Sequence, residues 1–155
     1  MEYLIAKWIH VLSSTILFGT GIGTAFYIFF CARTADAAIV AAVMRYAVIA
    51  DWLFTATTMV LQPLTGYYLT HLLGMSWSTP WIAWSFVLYV LAGLCWLPVV
   101  WLQIRMRDLA KTAAAASEPL PGQFWLLRRV WVALGVPALL AFLAVFYLMI
   151  AKPSL

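Results

Sequence analysis

The sequence predicts an all-α membrane protein, a four-transmembrane-helix bundle with its N- and C-termini outside. Three observations carry that prediction. Of 155 residues, 66% are hydrophobic and only 9% are charged, against about 45–50% and about 25% in a soluble domain. A water-soluble fold could not hide so much apolar surface, so the solvent is a bilayer. The apolar residues fall into four runs, each long enough for the roughly 20 residues that a spanning helix needs. Lys and Arg are also unevenly placed. The links between helices one and two and between helices three and four hold Arg33, Arg45, Arg105, Arg107, Lys111, Arg128 and Arg129, and the other side has only Lys7 and Lys152. The positive-inside rule puts the basic links in the cytoplasm, as expected of a multi-pass protein of the cytoplasmic (cell inner) membrane. The net charge of +4 therefore belongs to membrane-flanking links and does not imply nucleic acid.

Residues 1–155 read as one integral-membrane domain with no soluble domain attached and helices at about 3–30, 36–73, 81–104 and 124–151. A cleaved signal peptide is not expected: no basic segment precedes the first run, and Lys7 and His10 fall where its apolar region should be cleanest. Cys31 and Cys95 lie in or beside different runs with no CxxC or metal-ligand spacing. They are expected to be free thiols.

The first helix spans about Tyr3 to Phe30, longer than the hydrocarbon requires. Its second half carries Gly19, Gly21 and Gly23 with Ser13, Ser14 and Thr20, small residues that let a neighbouring helix or a flat ligand approach the backbone. Thr34 or Asp36 then offers an N-cap for a second helix that starts before the membrane. On this helix Asp51, Thr55, Thr58, Gln62 and Thr65 fall within roughly 40° of one line at 100° per residue. Such a polar stripe must face protein, water or a ligand rather than lipid. It either fixes packing through interhelical hydrogen bonds or lines a cofactor or solute path. Pro63 should kink the helix and free a carbonyl one turn earlier. The stretch from Gly74 to Pro80 is a turn at the aromatic belt of Trp77, Trp81 and Trp84. The third helix follows, with Pro98 inside it, and Ala113 to Gly122 reads as the exposed loop. The fourth helix enters through Arg128 and Arg129 and contains Gly135 and Pro137.

Ionisable groups in a membrane helix are costly and mark a site with a partner, and Lys7 and His10 stand three residues apart on one face of the first helix. His10 lies roughly 10 Å below the outer start of that helix. The same depth falls near Thr65 and Gly66 on helix two, near Ser85 and Tyr89 on helix three and near Ala144 on helix four. Two chemistries fit this level. One is a haem b with His10 on the iron, Lys7 paired to a propionate, and Thr65, Gly66 and Ser85 forming the wall. The other is a proton or ion relay through His10, Gln62, Asp51 and the threonines. A histidine that only hydrogen-bonds to a hydroxyl on the next helix is the third possibility. For haem, the sixth ligand is open. His71 is on the right side of the membrane but about 8 Å shallower and on another face of its helix, and Met75 or a water are the alternatives.

The Lys7-x-Ile9-His10 opening resembles that of the haem-containing protoporphyrinogen IX oxidase of the HemJ type, a small four-helix membrane protein, and copper-resistance CopD-like domains are similar. The whole chain looks closer to an uncharacterised family of predicted integral-membrane proteins. Its marks are a W-[IL]-H opening, Q-P-x-T-G on helix two (Gln62 to Gly66) and a tryptophan-rich third helix ending in Q-x-R (Gln103 to Arg105). The resemblance implies His10 as haem ligand and Lys7 as the matching lysine. The oxidase has a second lysine on its third helix, where Ser85 stands here, so the resemblance does not extend to protoporphyrinogen oxidation.

The function expected is therefore that of a haem b-binding membrane protein in redox or porphyrin chemistry, with a quinone or porphyrin as partner. The alternatives are a transporter or channel subunit that oligomerises through the Gly19/Gly23 face, and an accessory subunit of a membrane complex.

Overall fold

A computed structural model describes residues 1–153 and places them in four long helices with no strand among them. Helix α1 runs over Glu2–Cys31 and ends in a 3-10 turn, Ala32–Thr34. The second span is α2 (Ala37–Ala50), a π turn (Asp51–Thr55) and α3 (Ala56–Leu72) in unbroken succession. Helices α4 (Pro80–Ala116) and α5 (Gly122–Ala151) complete the bundle. Each span holds a window with mean hydropathy of 1.7 to 2.4, so all four can cross a bilayer.

Local chemistry explains the boundaries. Asp36 caps α2, its Oδ1 accepting from the amides of Ala38 at 2.8 Å and Ile39 at 3.1 Å, two donors that have no partner within the helix. Gly74 takes a left-handed φ of 61° after α3, which glycine adopts without steric cost. Pro80 opens α4 at its first turn, where its missing N–H is not needed. Helix α4 runs well past the expected end near residue 104, and the connection to α5 shrinks to Ser117–Pro121. The extra turns are rich in alanine, the best helix former, and leaving the membrane does not end a helix.

Pro63, Pro98 and Pro137 all lie inside continuous helices. Pro63 cannot donate to the carbonyl of Met59, and the Tyr89 hydroxyl of α4 donates to it instead at 2.5 Å. Tyr89 thereby ties α4 to α3 at the position that the proline leaves open. One turn further on, a Cβ at Gly93 would meet the Met59 methyl at 3.2 Å, so the helices approach closely there.

In the packing, α4 lies along α5 and α2, and α1 lies along α3 and α2. Phe18 and Phe146 meet edge-on at 5.1 Å between α1 and α5. The apolar core is concentrated at one end. Ile28, Val40, Met44, Met106 and Phe124 are the largest fully enclosed side chains, and they belong to one cluster with Leu102, Leu120 and Trp131. This is the end that carries the basic links. Toward the other end most of the buried residues are small or polar (Ala6, Ser13, Thr58, Gln62, Ser85, Ala92 and Ala141), with Leu17 and Ile82 the large exceptions. Both cysteines are free thiols.

Candidate functional site

His10 sits on α1 against the second half of the second span. Its Nδ1 lies 2.7 Å from Thr65 Oγ1. The Thr65 hydroxyl has one proton and directs it to the carbonyl of Leu61 at 2.7 Å, as helical threonines do. With its proton there, the oxygen accepts from His10 in the tautomer that carries the ring proton on Nδ1. Nε2, which makes no hydrogen bond among the described residues, then bears the free lone pair. A neutral imidazole with Nδ1–H anchored and Nε2 bare is the tautomer that binds metals through Nε2.

The backbone behind the ring is held as firmly. The Gln62 side-chain amide donates to the His10 carbonyl at 2.8 Å and to Ser13 Oγ at 2.6 Å. Ser13 in turn donates to the same carbonyl at 3.2 Å. Gln62 and Ser13 are both buried, so these bonds are made where water does not compete. Gly66 completes the facing helix, and a Cβ on it would stand 3.5 Å from the imidazole Cε1.

The remaining expected residues are distributed unevenly around this centre. Ser85 is buried, but its hydroxyl donates to its own helix at Trp81 O, 2.6 Å away. Lys7 is exposed, with its ammonium 5.7 Å from the centroid of the Tyr3 ring. His71 is exposed as well. It lies six residues past Thr65, which at 100° and 1.5 Å per residue is about 240° around the helix and about 9 Å along it. Since α3 stays continuous through Pro63, the structure does not bring His71 to His10. Met75 lies in the turn after α3. No group of three or more His, Cys, Asp or Glu side chains suited to a metal occurs among the described residues.

The stripe on the second span faces inward, with Asp51, Thr55, Thr58 and Gln62 all buried. Its hydrogen bonds form two separate groups. Gln62 and Thr65 belong to the His10 group. At the other end Thr55 donates to Asp51 Oδ1 at 3.1 Å. Between them Thr58 donates only to carbonyls of its own helix, Phe54 O at 2.6 Å and Thr55 O at 3.1 Å. Asp51 opens the π turn, an irregularity common at functional positions. Its Oδ2 is enclosed, and the neighbouring Gln103 of α4 brings a side-chain amide that can donate to the carboxyl group.

Sequence reasoning had Gln103 only as part of a motif and Ser13 only as a small residue. Ser13 stands three residues from His10, a spacing that puts both on one face and was the available signal. No local feature announces Gln103 as a neighbour of Asp51. The pairing depends on how α4 lies against α2.

A family model described as "Predicted integral membrane protein (DUF2269)" matches residues 4–153, the span that holds His10, the stripe and Gln103. The chain belongs to this family. No curated protein and no solved structure matches it.

Proposed function

We propose that this DUF2269 protein binds haem b through His10 and serves electron transfer or porphyrin chemistry near the outer face of the cytoplasmic membrane. The observation that carries the reading is the contact of Thr65 with His10 Nδ1: with the Thr65 proton on its own helix, the Nδ1–H tautomer leaves Nε2 as a ligand. The residues fit the group in a second way. Where the basic end is filled by large apolar side chains, the His10 end buries mostly small or polar ones beside Leu17 and Ile82, and small residues let a flat macrocycle approach the backbone. Haem when bound would supply one-electron chemistry at its iron. The chain's part is to hold the ring nitrogen, through Thr65 at Nδ1 and through Gln62 and Ser13 at the backbone. Lys7, one turn outward on the same helix, would pair with a propionate, and Gly66 and Ser85 would belong to the wall. The resemblance of the opening motif to haem-binding oxidases of the HemJ type supports the same ligand. The positive-inside rule, applied to the basic links, supports both termini outside.

The test is the visible spectrum of protein purified in mild detergent from cells supplied with haem precursor. The expected result is a Soret band with sharpened α and β bands on reduction, near one haem per chain, lost in His10→Ala while the variant still inserts. A colourless wild-type protein, or haem undiminished in His10→Ala, overturns the reading.

A second reading, a small transporter or channel subunit, is favoured by one observation: an acid and an amide, Asp51 and Gln103, are buried together between two spans. A single four-helix unit is small for a path. This reading needs a homo-oligomer, for which Gly19 and Gly23 share a face that no described residue covers. It predicts that Asp51→Asn changes flux in vesicles containing no chromophore.

A further inference from the structure

The basic end of the bundle holds an arrangement of charge that the haem reading does not use. Two guanidinium groups from distant parts of the chain sit over one aromatic ring. Arg33, in the 3-10 turn, lies 5.2 Å from the centroid of Phe29, and Arg128, on α5, lies 4.7 Å from the same centroid. They are thus no farther apart than about 10 Å, the Debye length at 0.1 M salt, and each feels the charge of the other. Neither forms an ion pair with a carboxylate of the described residues. Among the described residues the ion pair formed is between Arg107 and Asp108.

Arg128 is held in position rather than left to sweep through solvent. Its Nη2 donates to Phe29 O at 3.4 Å, and its guanidinium stands 6.0 Å from the Trp125 ring. That carbonyl lies in the last turn of α1, where carbonyls lack donors within the helix and carry partial negative charge. Nε is enclosed without a partner, while Nη1 is left free for an acceptor from outside the chain. Arg33 is exposed. On the same face of α1, Phe30 and Phe26 follow at three and seven residues back toward the middle of the span. They are 47% and 55% exposed, with ring centroids 4.6 Å apart. Two cationic forks therefore stand at the membrane boundary, and a bare aromatic strip runs from them toward the bilayer centre.

That is the outline of an amphiphile with an anionic head. The guanidinium fork matches the paired oxygens of a phosphate, and basic pockets between membrane helices take anionic headgroups. A free phosphate would use only the arginines and leave the strip bare. We propose that Arg33 and Arg128, both against the ring of Phe29, bind the phosphate of an anionic phospholipid whose acyl chain lies along Phe30 and Phe26.

The experiment is a thermal-unfolding titration of detergent-solubilised full-length protein with phosphatidylglycerol, with phosphatidylcholine and inorganic phosphate as separate arms. Phosphatidylglycerol should raise Tm saturably, and the other two should not. Arg33→Gln and Arg128→Gln should each weaken the apparent affinity about fivefold, by the charge that each removes near the headgroup. Arg105→Gln, at the same end, should leave it unchanged. Arg33 makes only ring contacts within the chain, so its variant keeps the proposal testable if Arg128→Gln fails to fold. An equal shift with inorganic phosphate overturns the lipid assignment. So does an affinity that neither arginine variant changes, or one that Arg105→Gln lowers as much.

Discussion

The contact between His10 Nδ1 and Thr65 Oγ1 is the smallest feature with the largest consequence in this chain. With the Thr65 proton on its own helix, the oxygen favours the tautomer whose ring proton is on Nδ1. Replacing Thr65 by Val keeps the shape and removes the acceptor, so the imidazole loses its anchor. If His10 ligates haem, this variant should bind it about 10–100-fold more weakly, the usual cost of deleting the partner of a ligating histidine. Haem titration followed at the Soret band checks it. Much of this centre was legible beforehand, because counting 1.5 Å per residue down α1 and along the second span puts His10 level with Thr65 and Gly66. The hydrogen bonds of Gln62 to Ser13 and His10 were not legible, since depth says nothing about which way a side chain turns.

Among elements, the second span shows what periodicity reads and what it misses. The spacing of Asp51, Thr55, Thr58 and Gln62 placed them on one line, and all four are buried. Nothing in Asp51–Thr55 marks a π turn, because no residue type is required for one and its stability comes from the helices around it. Pro63 announced a freed carbonyl, but the hydroxyl that fills the gap comes from Tyr89, thirty positions later in the chain. Tyr89→Phe should destabilise the protein by about 0.6–1.7 kcal/mol, the range for interhelical hydrogen bonds in membranes. In a Pro63→Ala background the restored N–H can reach Met59 O, and the same change should cost less. Unfolding of the four proteins in a mixed-micelle denaturant series measures that difference. The end of α4 was misplaced for a simpler reason. Leaving the apolar run was read as leaving the helix, whereas the alanines through Ala116 have every reason to stay helical.

For the molecule as a whole, the division between a filled end and a small-residue end governs where change is tolerated. Met106 is fully enclosed in the cluster at the basic end. Met106→Ala should cost about 2–5 kcal/mol, the range for large-to-alanine changes in a packed core, seen as a lowered unfolding midpoint. Ala92, enclosed toward the other end, has no side-chain volume to lose. The proposed orientation makes its own prediction. A cysteine at Glu2→Cys should react with a membrane-impermeant maleimide in intact cells, and one at Lys111→Cys should react only after the membrane is opened. The reverse pattern would invert the topology and move the His10 level to the cytoplasmic side.

By itself the sequence determined the solvent, the number of spans, the starts of the second and third spans to within about two residues and the inward stripe. These depend on composition, on length against bilayer thickness and on local periodicity, all of which are properties of neighbouring residues. Only the tertiary structure decided that Thr65 meets His10 Nδ1, that Tyr89 answers Pro63, that Gln103 neighbours Asp51 and that Arg33 and Arg128 share the ring of Phe29. Each of those is a pairing between helices. In a membrane, where apolar faces are as content with lipid as with one another, such pairings come from the rotation and offset of packed helices, which no single span encodes.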